Sequence, residues 1–163
     1  MIDGVHFADH VVLAALGIDA NGKKHVLGLW EGATENSAAC NALLANLVKR
    51  GLCADRSMLF VIDGSGALEK SIRKVFGALA LVQRCRVHKK RNVRDHLPQE
   101  MHASVMAAMA TAYATHDASR AKKLLENLAT KLENEHPGAA ASLREGLDDT
   151  LTLKSMGLSG TQL

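Results

Sequence analysis

Met58-Leu59-Phe60-Val61-Ile62-Asp63-Gly64-Ser65 is the stretch on which the fold of this chain turns. Five apolar residues in succession, closed by Asp63-Gly64, predict a central strand covered by helices on both faces, because a strand with one solvated face alternates apolar and polar residues. Asp63 then stands at the strand's carboxyl end. Ser65 can cap a helix whose apolar stripe is Leu68, Ile72, Val75 and Phe76 and whose stop is Gly77. Ala80 to Val82 reads as the next short strand, and strand, helix, strand predicts a parallel crossover, right-handed in nearly all known cases.

Toward the amino terminus, Ile2 to Ala8, Val11 to Ile18 and His25 to Trp30 read as three strands. The last two are joined at Asp19-Ala20-Asn21-Gly22, where Asn-Gly is a strong hairpin signal. From Asn36 to Arg50, Ala39, Leu43, Leu44, Leu47 and Val48 recur at three and four, with Gly51 as a stop, which predicts an amphipathic helix. Beyond Pro98 the texture is helical throughout. Met101, Val105, Ala108, Met109 and Ala112 form one stripe; Leu124, Leu125, Leu128 and Leu132 form another, capped by Asp117 and broken at Pro137-Gly138. The segment from Thr150 to Leu163 has weak periodicity and is expected to be poorly anchored. The fold class is therefore α/β, and the order β-β-β-α-β-α-β-α resembles a ribonuclease-H-like mixed sheet followed by an all-helical insertion.

Composition narrows the function. The 163 residues are 47% hydrophobic and 23% charged, as in folded globular proteins rather than disordered ones. The longest apolar runs fall far short of the ~20 residues of a membrane helix, and no leader precedes Asp3, so secretion and membrane partners are disfavoured. Cys40, Cys53 and Cys85 give no disulfide framework, which suits a reducing cytoplasm. A net charge of +3 leans only weakly toward an anionic partner.

The charge distribution says more. Arg84-Cys85-Arg86-Val87-His88-Lys89-Lys90-Arg91-Asn92-Val93-Arg94 holds six of the chain's 20 Lys and Arg. Such a cluster is either a solvated helix face or a DNA-binding surface, on which Arg84, Arg86, His88, Lys89, Lys90, Arg91 and Arg94 would meet phosphates with salt-sensitive affinity. Cys85 and His88 have the spacing of half a zinc site, but no second pair accompanies them. The other histidines are scattered without a metal-binding pattern.

Asp3 and Asp63 are the second constellation. On neighbouring central strands of a ribonuclease-H-like sheet they would face one another and offer the hard oxygen ligands that Mg²⁺ or Mn²⁺ prefers. The plainer alternative makes Asp63-Gly64 a turn and Asp3 a terminal residue. Trp30 reads as a core or edge residue, Glu31 and Glu35 are too loosely placed to assign, and Asp148-Asp149 reads as a solvated terminus.

Five segments together resemble the Mutator-like DDE transposases of bacterial insertion sequences. They are Ile2-Asp3-Gly4-Val5, Leu16-Gly17-Ile18-Asp19, Val26-Leu27-Gly28-Leu29-Trp30, Phe60-Val61-Ile62-Asp63-Gly64 and Gln83 through Val93. The Cys-x-x-His followed by basic residues and Asn is the most specific, and the likeness extends more weakly through about Leu153. The resemblance implies that Asp3 and Asp63 are the first two acids of the DDE triad, binding Mg²⁺ or Mn²⁺ for strand cleavage and transfer. It also implies transposon ends and target DNA as partners, with a homodimer or pairing with full-length transposase.

Under that resemblance residues 1–97 are a partial catalytic core and 98–163 a truncated helical insertion. Two departures accompany it. The family carries a DNA-binding region before the first catalytic strand, and its catalytic glutamate follows the insertion in an Asn-Pro-Ile-Glu-like motif, which this sequence does not contain. The expectation is a truncated transposase, inactive alone, or a non-catalytic regulator that binds DNA or transposase. A haloacid-dehalogenase-like phosphatase is disfavoured because Ser65 stands where its second Asp belongs; a decayed gene product is the remaining alternative.

Overall fold

A computed structural model describes residues 1–7, 10–32 and 37–158. Ala8, Glu35 and Asn36 and the tail beyond 158 lie outside the described residues, as do the side chains of His6 and His10. Tertiary contacts divide the chain into two compact units, Met1–Val82 and Gln83–Leu163. The division expected from the sequence falls later, at 97/98, and keeps the basic segment with the strands it follows. In the structure that segment is a helix whose Val93 belongs to the apolar cluster of the helical unit.

The first unit is built on strands β1 (Ile2–Phe7), β2 (His10–Ile18), β3 (Lys24–Gly32) and β4 (Met58–Ile62), joined by β5 (Ala80–Arg84) in the order β3-β2-β1-β4-β5. β1 pairs antiparallel with β2 and parallel with β4, and β2 pairs antiparallel with β3, so the sheet is mixed. The Asn21-Gly22 turn forms as expected. Asp19 Oδ1 accepts from the Asn21 and Lys23 amides at 2.9 and 3.0 Å, which fixes the reversal between β2 and β3.

Helices α1 (Ser37–Lys49) and α2 (Gly66–Phe76) supply the other half of the core. Leu43, Leu44 and Leu47 of α1 and Leu68, Ile72 and Phe76 of α2 are buried with Ile2, Leu13, Ala15, Phe60 and Ile62 of the sheet. Trp30 packs against this cluster from β3, in keeping with its reading as a core or edge residue. β3 carries an irregularity: Gly28 pairs with Ala15 and Val26 with Leu16, so Leu27 is an extra residue. Its carbonyl accepts a hydrogen bond from the Arg50 guanidinium, just past α1.

The second unit is helical, comprising α3 (Arg86–Arg94), α4 (Gln99–Ala114), α5 (Ala118–Leu132), α6 (Pro137–Arg144) and α7 (Thr152–Ser155). Val105, Met109 and Ala112 of α4, Ala121, Leu125, Ala129 and Leu132 of α5 and Ala139, Ala140 and Leu143 of α6 form its core. Asp117 caps α5 as expected, accepting from the amides of Ser119 and Arg120 at 2.7 and 3.2 Å. Pro137 does more than break α5: it occupies the first turn of α6, where its fixed φ suits the helix and its missing N–H costs nothing.

The weak anchoring expected from Thr150 onward is corrected for the residues described. Thr150, Leu151 and Leu153 are buried. A short 3-10 turn (Asp148–Thr150) and the four-residue α7 are too brief to show a period, and they are held by bonds to residues far away in sequence. Gln83 Nε2 donates to Thr150 O at 3.0 Å, Gln83 Oε1 accepts from the Leu153 amide at 3.0 Å, and Tyr113 Oη donates to Thr150 Oγ1 at 3.2 Å.

Candidate functional site: an acid pair and a basic helix

Asp3 and Asp63 are brought together by strand register. Ile2 of β1 is the direct partner of Ile62 of β4 in the parallel pair, so the next residue on each chain is an aspartate at the same level. Ile2 and Ile62 are buried in the core, and alternation along β1 turns Asp3 to the opposite face. Both aspartates are half-buried.

The geometry around Asp63 is set by the turn after β4. Gly64 has φ 116°, a region that side chains beyond glycine rarely adopt, and this lets the chain leave the strand abruptly. Asp63 Oδ1 then accepts from the Ser65 amide at 2.9 Å, and Ser65 Oγ accepts from the Leu68 amide at 3.3 Å to cap α2. One carboxylate oxygen of Asp63 is thus held in place by the turn. Among the described residues no cluster of three or more His, Cys, Asp or Glu is arranged to hold a metal ion, so the donor set shown is the pair. That finding covers Cys85, His88 and those of the scattered histidines whose side chains are described.

The basic segment is α3, and its helical phase sorts the residues singled out in the sequence. Arg86, Lys89 and Val93 recur at three and four and face inward; Val87, Lys90, Arg91 and Arg94 form the outward stripe. Arg91 and Arg94 are exposed and Lys90 is half-buried, with Arg94 pairing with Asp95 at 3.2 Å. His88 is half-buried. Its Nδ1 is buried and meets no hydrogen-bond partner among the described residues.

The remaining cations are drawn into the helical unit. Lys89 is 1% exposed, and its Nζ donates to the carbonyls of Ser142 and Glu145 at 2.6 and 2.5 Å. Arg84, also buried, donates from Nη1 to Glu145 O at 3.0 Å and lies 3.5 Å from the Glu145 carboxylate. Arg86 donates from Nε to Thr150 O at 3.0 Å, and its guanidinium lies 5.0 Å from the Tyr113 ring centroid. Burial, reinforced by the neighbouring Arg84 charge and opposed by Glu145, pulls the Lys89 ammonium down to about 8. Burial likewise pushes the Tyr113 phenol up.

A count of charges takes the six cations of residues 84–94 as one surface and gives no structural role to Gln83, Tyr113 or Thr150. Periodicity carries the missing signal: the three-four spacing of Arg86, Lys89 and Val93 marks an inward face once a helix is assumed. Asp148 does not stand free at a terminus, since its Oδ1 pairs with Lys122 Nζ at 2.8 Å. No helix of the described residues is long and apolar enough to cross a membrane.

Comparison with known proteins bears on both constellations. The chain matches the family described as transposase, Mutator family, over residues 3–158, from the first aspartate through the anchored segment after α6. It is 29% identical over 153 residues to the transposase for insertion sequence element IS6120 of Mycolicibacterium smegmatis, covering 90% of this chain and 46% of that protein. It is 32% identical over 138 residues to the transposase for IS905 of Lactococcus lactis, covering 85% of this chain and 34% of that one. A third relative, the transposase for IS406 of Burkholderia multivorans, is 30% identical over 146 residues, covering 89% and 37%. The chain thus spans less than half the length of these relatives. Because the match runs through the acid pair, the basic helix and the helical unit alike, the chain belongs to the Mutator family of insertion sequence transposases.

Proposed function

We propose that Asp3 and Asp63 are the first two acids of a DDE triad on a ribonuclease-H-like sheet, and that they hold Mg²⁺ or Mn²⁺ for cleavage and transfer of transposon DNA strands. The observation that carries this reading is the register of β1 against β4, which sets the two aspartates at one level on neighbouring parallel strands. Carboxylates suit a hard divalent cation, and the pair fits such an ion in part, because a third acid is not beside them among the described residues. When bound, the ion would polarise a phosphoryl oxygen and lower the pKa of an attacking water or hydroxyl. The protein's share is to hold Asp63 by the Ser65 amide and to present Asp3 from a strand rooted in the core.

DNA is the proposed partner, met by the outward stripe of α3. Lys90, Arg91 and Arg94 face solvent wholly or in part, so each can approach a phosphate without breaking a buried bond. The reading requires a third acid, which is not beside the pair among the described residues. A Mn²⁺ titration followed by electron paramagnetic resonance tests the metal reading. Asp3→Asn and Asp63→Asn should each weaken binding severalfold, and unchanged binding in both removes it. Nicking of transposon-end DNA that survives Asp63→Ala would overturn the catalytic assignment.

A second reading, a regulator that pairs with another copy or with full-length transposase, is favoured by apolar exposure on the sheet. Val5 and Leu29 lie on the face opposite the core and are 52% and 64% exposed. Sedimentation of the chain with and without Leu29→Lys separates the readings: association lost in the variant supports pairing, and a monomer at all concentrations rejects pairing with itself.

A further inference from the structure

Helix α3 has nine residues, below the length at which helices of about 12 to 15 residues become even marginally stable alone, so its orientation depends on what it buries. It buries two side chains: Val93, which joins the apolar cluster, and Lys89, which does not. Removing an ammonium from water costs several kcal/mol unless hydrogen bonds replace the lost hydration. The replacements are specific. The carbonyls of Ser142, in the last turn of α6, and of Glu145, its C-terminal cap, both accept from Lys89 Nζ, and Arg84 donates to the same Glu145 carbonyl from the end of β5.

These carbonyls are at the end of a helix, where backbone acceptors lack intrahelical donors and the dipole favours positive charge. The chain turns away at Gly146, φ 57°, where a Cβ would collide with the Arg84 guanidinium, so the approach of Arg84 depends on glycine there. Two cations of the basic cluster therefore form a clamp on the C-terminus of α6. Because successive helical residues are separated by about 100° around the axis, fixing Lys89 and Val93 fixes where Lys90, Arg91 and Arg94 point.

We propose that Lys89 and Arg84 are positioning residues for DNA rather than phosphate ligands: they lock the rotation of α3 by clamping the end of α6, and so aim the outward stripe. This inference rests on the DNA-binding reading of α3. The two roles leave different marks in a salt titration. Loss of a phosphate contact reduces the slope of log affinity against log salt by about 0.9, whereas misaiming the stripe lowers affinity with far less effect on the slope per residue altered.

The test is fluorescence anisotropy of a short labelled duplex of arbitrary sequence, titrated with the whole chain across a salt series. Arg91→Gln should reduce the slope by about 0.9. Lys89→Met should weaken binding by about tenfold while leaving the slope as in the unaltered chain. A slope reduced by about 0.9 in Lys89→Met makes Lys89 a ligand and overturns the proposal, as does unchanged affinity. If circular dichroism shows that Lys89→Met does not fold, Arg84→Gln, which leaves Lys89 on both carbonyls, is judged by the same criteria. Salt-dependent binding by the unaltered chain confines a failure to the clamp; no such binding rejects the DNA reading and the clamp's role in it together.

Discussion

In the sheet-bearing unit the charged residues of the site stand on an apolar framework, whereas in the helical unit charged residues are part of the framework. Asp3 and Asp63 emerge beside Ile2 and Ile62, whose burial fixes the strands without involving either carboxylate. Lys89, Arg84 and Arg86 instead turn into the helical unit and bond to the backbone carbonyls of Ser142, Glu145 and Thr150. The difference teaches that a charge cluster in a sequence can mix groups that meet a ligand with groups that hold the protein together. Helical phase is what separates them.

The largest effect that sharpens this contrast is truncation of an apolar side chain. Leu125→Ala in the helical core should cost about 2 to 5 kcal/mol, as should Leu68→Ala in the sheet-bearing unit, measured by chemical denaturation. If Leu125→Ala costs much less, the helical unit leans on its polar clamps more than on its apolar core. Next is Gly146→Ala, expected to destabilise by about 1 to 3 kcal/mol through its positive φ and the Arg84 collision. Gly157→Ala also has a positive φ but meets open space, so a smaller fall in melting temperature there isolates the collision.

The pH dependence discriminates the units more finely. Lys89 binds its proton less tightly folded, at about 8, than its ordinary value of 10.5, so above pH 8 the unfolded chain holds more protons than the folded one. Its contribution therefore makes stability rise with pH between 8 and about 10; above that the raised Tyr113 phenol opposes it. Thermal melts at stepped pH should show this rise in the unaltered chain and lose it in Lys89→Met. The smallest effect concerns caps. Asp117→Ala, losing the carboxylate oxygen that accepts from two amides, should cost about 1 kcal/mol, and Ser65→Ala, losing a single 3.3 Å bond, less. Equal losses would show that cap geometry does not distinguish the two units.

Much of the sheet was legible because its signals are local. The apolar run before Asp63-Gly64, the Asn21-Gly22 turn and the stripe of α1 each specify an element within a few residues. The pairing of Asp3 with Asp63 was legible only through a resemblance, since no local pattern sets the register of two strands some sixty residues apart in the chain. The segment after α6 was misjudged for the same physical reason. Gln83 and Thr150 are adjacent through a hydrogen bond, not through any period, and a short turn held by distant side chains looks like a loose end.

The extra residue in β3 affects what the molecule does to its neighbours. β3 is an outer strand of the described sheet, nine residues long, with Val26 70% exposed, and such a strand invites growth by backbone pairing. With Leu27 out of register and its carbonyl occupied by Arg50, an incoming strand meets an interrupted template. A single bulge and one arginine thus break the regularity of the edge that β3 would offer to an incoming strand.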